Sequence, residues 1–201
     1  MHSIYRRARR PVSITPLVID QLPVKRRGLS DFTFTRYLPP YLCDFDHGWS
    51  VFMDADMLCL GDVYELRDYA GDHYEHAVSV VKNKLRFEWP SLMVFNNDKC
   101  RVLTPEFIET GEPQTLKWAS SIGELPAEWN LLVGYDEPIA NPKLVHFTQG
   151  IPCFPETKDS PYSAEWTAEA RASMSTVTWD EIMGASVHKE AVLKRLGSRP
   201  S

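Results

Sequence analysis

The stretch "SVFMDADMLCLGDV" (residues 50–63) sets two aspartates, Asp54 and Asp56, one residue apart at the end of an apolar run. The near-continuous apolar character of "WSVFMDAD" (49–56) suits a strand buried on both faces of a mostly parallel sheet. In such sheets ligands collect outside the carboxyl ends of the strands. Strand alternation puts residues i and i+2 on one face, so the two carboxylates can converge on one point. Two like charges side by side resist joint ionisation unless a cation or strong donors sit between them. A hard divalent cation carrying phosphate oxygens fits that requirement. Short acidic triplets also occur in loops, so capping or turn formation is the competing reading.

Working outward, "VSITPLVI" (12–19) is β-branched and reads as a strand, as do "AVSVVK" (77–82), "SLMVFN" (91–96) and "LVHFT" (144–148). "DFTFTRYL" (31–38) reads as a short helix capped by Ser30 and ended by Pro39 and Pro40. The segment "TWDEIMGASVHKEAVLKRLG" (178–197) opens with a capping box, Thr178 to Glu181, and reads as helix up to Gly197. Strands interleaved with helices predict an α/β fold.

The 201 residues suffice for one sizeable domain, and 43% hydrophobic with 24% charged residues is ordinary for a globular protein. No apolar run reaches membrane-spanning length, and arginines break up "HSIYRRARRPVS" before any signal-peptide core can form. Cys43, Cys59, Cys100 and Cys153 are scattered without CxxC pairing, so reduced thiols and a cytoplasmic location are expected. Residues 1–27 hold seven Arg or Lys against the single acid Asp20. A solvated helix end and an anionic-surface contact both remain open for that segment. Nucleic acid is not expected as a partner, because no aromatic stacking pattern accompanies the arginines and the net charge is −5.

"VFMDADMLCLGDVYEL" resembles the Asp-x-Asp segment of family-8 glycosyltransferases, the group that includes glycogenin and bacterial lipopolysaccharide galactosyltransferases. Three further pieces fall in the family's order. "TFTRYLPPYL" resembles the helix before that strand, where the family places an arginine near the donor, here Arg36. "LPAEWNLLVG" (125–134) resembles its Leu-Pro-x-x-Trp-Asn segment. "NPKLVHFTQGIPCF" (141–154) resembles its His-Phe-Thr-Gly segment, whose histidine completes the metal site, here His146. By itself, a lone histidine ending an apolar strand reads equally as a hydrogen-bonded core residue.

The resemblance implies a GT-A-type nucleotide-diphospho-sugar transferase fold: a domain over residues 1–155, with a helical extension over 156–201 packing on it. It implies transfer of a sugar from a nucleotide-sugar, UDP-linked, to a hydroxyl acceptor with retention of configuration. Asp54, Asp56 and His146 would hold the metal, a mixed oxygen and nitrogen set that Mn²⁺ tolerates better than Mg²⁺. Asp54, Asp56, Arg36 and the Gly150 backbone would meet the diphosphate donor. The acceptor is left open among glycan, lipid-linked glycan and small molecule, as is peripheral membrane contact. No catalytic residue is assigned.

Departures from the family bear on the reading. No Gly-Tyr-Asp-like segment for the nucleoside precedes "HSIYRRARRPVSITPL", so an N-terminally truncated domain lacking its first strand is expected. "WPS" (89–91) stands where the family has Asn-Ala-Gly, and residues 97–120 hold no Asp-Gln pair to face the reacting sugar carbon. "IPCF" replaces the expected lysine segment, so Lys158 or an arginine must supply that charge. Trp129 invites sugar stacking but reads as core. The rival expectation is a non-catalytic protein of the same fold serving interaction or regulation. A metal-dependent phosphohydrolase would need a further catalytic group after a later strand, and the sequence offers none.

Overall fold

The computed structural model describes residues 1–71, 75–174 and 179–197. In chain order the strands are β1 (Trp49–Met53), β2 (Met57–Cys59), β3 (Val78–Val80), β4 (Leu92–Asn96), β5 (Ile122–Glu124), β6 (Leu131–Leu132) and β7 (Leu144–His146). The α-helices are α1 (His2–Arg7), α2 (Pro39–Leu42), α3 (Tyr64–Gly71), α4 (Pro105–Thr110), α5 (Ser163–Ser173), α6 (Trp179–Met183) and α7 (Lys189–Leu196). They gather into two compact units. The core unit comprises Val12–Ala55 and Val63–Trp129, and the terminal unit comprises Met1–Pro11, Asp56–Asp62 and Asn130–Ser201.

The core unit holds a sheet in the order β1-β4-β3-β5. β4 runs antiparallel to β1 and to β3, while β3 and β5 are parallel. The sheet is mixed, which corrects the mostly parallel sheet expected from the apolar run at 49–56. The reason is which strand is central. β4 is buried at all its positions, whereas β1 is half-buried and leaves Val51 42% exposed. An apolar run on a strand paired along one edge therefore mimicked two-faced burial. Register pairs Val78 with Phe95 and Val80 with Met93, and these four side chains share one core cluster with Leu38 and Ile108.

Three local expectations also change. Residues 12–18 form no ladder, since Pro16 offers no N–H and Val18 is 47% exposed; a 3₁₀ turn, Ile19–Gln21, follows. Residues 35–37 form a 3₁₀ turn, and Pro39 and Pro40 begin α2 instead of ending a helix, because proline is suited to a first helical turn. The long C-terminal helix is broken: α6 stops at Met183, Gly184 takes φ +49°, and α7 starts at Lys189. Thr178 and its capping box lie outside the described residues.

The terminal unit has its own mixed sheet, β2-β7-β6, antiparallel between β2 and β7 and parallel between β7 and β6. Leu58, Val145 and Phe147 pack with Trp166 of α5, and Val192 and Leu196 of α7 pack with Cys153. α1 is held to α5 by the buried Glu169, whose carboxylate meets His2 Nδ1 and Arg7 Nη1 at 2.6 Å each and Arg6 Nη1 at 3.4 Å. Part of the basic N-terminus thus has its counter-charge inside the protein. Burial pushes the Glu169 carboxyl up, but Arg7 and His2 outweigh it and hold the group below its usual value.

All four cysteines are free, and Cys59, Cys100 and Cys153 are buried. Burial raises their thiols to about 11, 12 and 11, which keeps them protonated and unreactive near neutrality. No described helix is long and apolar enough to cross a membrane.

Candidate functional site

Asp54 follows directly on β1 and extends its ladder, donating its N–H to Ser91 O at 3.0 Å. Its carboxylate meets Arg36, with Nη2 3.3 Å from Oδ1 and both side chains about 15% exposed. Arg36 comes from the 3₁₀ turn before α2, and its guanidinium sits 5.5 Å from the Phe52 ring centroid. The Arg36 Nε is buried with no hydrogen-bond partner among the described residues. Tyr37, 1% exposed, lies in the same field. Burial raises its phenol well above the usual value, Arg36 opposes that rise and Asp54 adds to it. The phenol stays neutral and can donate a hydrogen bond, but it is no base at physiological pH.

In the terminal unit, the register Met57 to His146 sets Asp56 beside the end of β7, where the Phe147 N–H donates to Asp56 O at 3.1 Å. Asp56 Oδ1 lies 3.3 Å from His146 Nε2. The histidine is 2% exposed and the carboxylate 37%, a buried imidazole facing a more open acid. Gly61 makes that register possible, because a Cβ there would come within 2.7 Å of the Lys143 side chain, whose backbone oxygen accepts the Leu60 and Gly61 N–H groups. Only Ala55 separates the two aspartates, so covalent geometry bounds their Cα separation at about 7 Å.

Gly150 is a required glycine, with φ +120° and a virtual Cβ 2.9 Å from Phe154 Cδ2. Its N–H donates to Phe147 O at 2.7 Å, so an anion would have to share that amide. Trp129 is fully buried, as its core reading requires. Sequence reasoning missed Ser91, which anchors Asp54, and Tyr37. The first is a backbone contact without a side-chain signature, while adjacency to Arg36 was a usable signal for the second.

No known family model matches the chain. Protein CDI of Arabidopsis thaliana is 31% identical over 207 aligned residues, covering 84% of this chain and 78% of that protein. The chain belongs to the Protein CDI family. Among solved structures, the glycosyltransferase GlyE of Streptococcus pneumoniae TIGR4 is similar at TM-score 0.51 and 18% identity, over 87% of this chain and 49% of that one. The WbbM bifunctional glycosyltransferase is similar at TM-score 0.49 and 16% identity, over 85% and 38%. The chain thus spans half or less of those structures. At such identity the likeness to GlyE speaks for the fold alone.

Proposed function

We propose that the chain is a metal-dependent glycosyltransferase of the family-8 type, taking a UDP-linked sugar to a hydroxyl acceptor with retention of configuration. The observation that carries it is Asp56 facing His146 Nε2 at 3.3 Å, two residues after the aspartate that follows β1. Two carboxylates and an imidazole fit Mn²⁺, with Mg²⁺ the poorer match. Asp54, Asp56 and His146 would hold the ion, which supplies Lewis-acid neutralisation of charge on the departing diphosphate. Arg36, paired with Asp54, would supply the fixed positive charge that the missing lysine would otherwise provide. In the transfer, the anomeric carbon–phosphate oxygen bond breaks, the bond to the acceptor oxygen forms, and the acceptor's proton leaves with the diphosphate. No protein base is required by that balance.

Calorimetric titration of UDP, with and without Mn²⁺, tests the reading. Saturable binding that needs Mn²⁺ is expected, weakened about ten-fold or more in Asp56→Ala and in His146→Ala. Equal binding by Asp56→Ala would sink the metal assignment. No binding by the parent would favour the non-catalytic alternative.

A further inference from the structure

β1 and β3 both run opposite to β4, so their carboxyl ends lie at one edge of the core sheet. Asp54 follows β1 at that edge and continues its ladder, and residues 81–83 follow β3. β4 lies between them, so the two strand ends are separated by two strand spacings, roughly 10 Å. The 3₁₀ segment leading into β4, Arg86–Ser91, binds both extensions. Ser91 O accepts the Asp54 N–H, and the Trp89 indole N–H donates to Asn83 O at 3.0 Å. Arg86 in turn stacks over the Trp89 ring, its guanidinium 5.2 Å from the centroid. The Asn83 backbone is therefore held in place relative to Asp54 through a short, doubly anchored link.

The Asn83 side chain is the anomaly of this edge. Both its Oδ1 and its Nδ2 are buried, and neither has a hydrogen-bond partner among the described residues. An unpaired buried carboxamide costs about 1–3 kcal/mol per group, and native proteins avoid it unless something pairs with it. A carboxamide presents an acceptor and a donor side by side, the complement of a hydroxyl that both donates and accepts, or of two neighbouring hydroxyls. An aliphatic or anionic partner would satisfy at most half of it.

We infer that Asn83 is a specificity-determining residue that hydrogen-bonds hydroxyls of the donor sugar. The inference rests on the glycosyltransferase reading. Asn83 lies at the same end of the core sheet as Asp54, two strand spacings or roughly 10 Å away, so a sugar attached to a diphosphate held at Asp54 would be long enough to reach it. A site that hydrogen-bonds a substrate hydroxyl rejects analogues lacking it, because its own groups are then left unpaired.

The test is calorimetry with Mn²⁺ on the full chain and on Asn83→Ala, using UDP, UDP-glucose and UDP-galactose. The parent is expected to bind at least one UDP-sugar several-fold more tightly than UDP. Asn83→Ala should erase that increment while changing UDP affinity less than two-fold. Its melting temperature without ligand should hold or rise, since the substitution removes an unpaired buried group. An increment that survives in Asn83→Ala overturns the assignment and leaves the transferase reading standing, as does a parent without any increment. A ligand-free melting temperature that falls by several degrees makes Asn83 a structural residue and also overturns it. Failure of the parent to bind UDP at all overturns both readings together.

Discussion

Arg36 and Asp54 form a mostly buried pair, and each would be costly alone. Arg36→Ala strands a carboxylate with about 15% of its side chain exposed, for which a loss of roughly 2–3 kcal/mol is expected. For a chain of this size that corresponds to a fall of about 5–10 °C in melting temperature. Under the proposed metal site a second cation can take over the arginine's role. Thermal melts of Arg36→Ala should therefore recover a large part of the loss in millimolar Mn²⁺, and a melt indifferent to Mn²⁺ would argue against ion binding at Asp54. Tyr37 provides a quieter check at the same scale. Tyr37→Phe keeps the buried ring and removes a neutral donor, so folding should be nearly unchanged and any loss should appear in ligand binding.

Among the elements, β4 carries the core unit's packing. Phe95 is fully buried and stacks against Trp118 at a ring-centroid distance of 6.4 Å, so Phe95→Ala should cost about 3–5 kcal/mol in chemical denaturation. The α1–α5 contact supplies a pH signature. Glu169 titrates below its ordinary 4.5 in the folded chain, so its stabilisation is complete above that value and is lost as pH falls through the depressed one. The stability gap between the parent and Glu169→Gln should thus be widest near neutrality and close as the pH falls through that depressed value. A gap that grows on acidification would contradict the pairing.

At this scale the sequence was legible where chemistry and pattern coincided. Strands over 49–53, 78–80, 92–96 and 144–146 were visible as apolar runs, and Asp56 with His146 could be paired only through the family resemblance. β2, β5 and β6 were not legible because strands of two or three residues carry no period to read. Strand direction was invisible for a different reason. The apolar run at β1 is compatible with either direction, and only its pairing to β4 decides. Asn83 and Ser91 escaped because their importance lies in burial and in a backbone oxygen, neither of which residue identity announces.

For the molecule as a whole, neither unit is a continuous stretch of chain. The terminal unit draws on three segments and the core unit on two. Residues 156–201 supply Glu169, Trp166, Val192 and Leu196, so they form part of the terminal unit's own core. A chain cut after residue 155 should keep slow hydrogen exchange in β3 and β4 but show fast exchange in β2 and β7. Uniform protection would mean that the C-terminal helices are dispensable to that sheet.

The pairing of β2 with β7 also has a consequence for biosynthesis. Residues 57–59 leave the ribosome long before residues 144–146, and at about 5–20 residues per second the wait is roughly 5–15 s. His2 waits longer still for Glu169, 167 residues downstream. During that interval the nascent chain displays an apolar strand whose hydrogen-bonding groups have no mate, while β3, β4 and β5 of the core sheet emerge and can pair with β1 and one another. Translational pausing between Cys59 and Leu144 should therefore lower soluble yield, and a co-translational holdase should restore it.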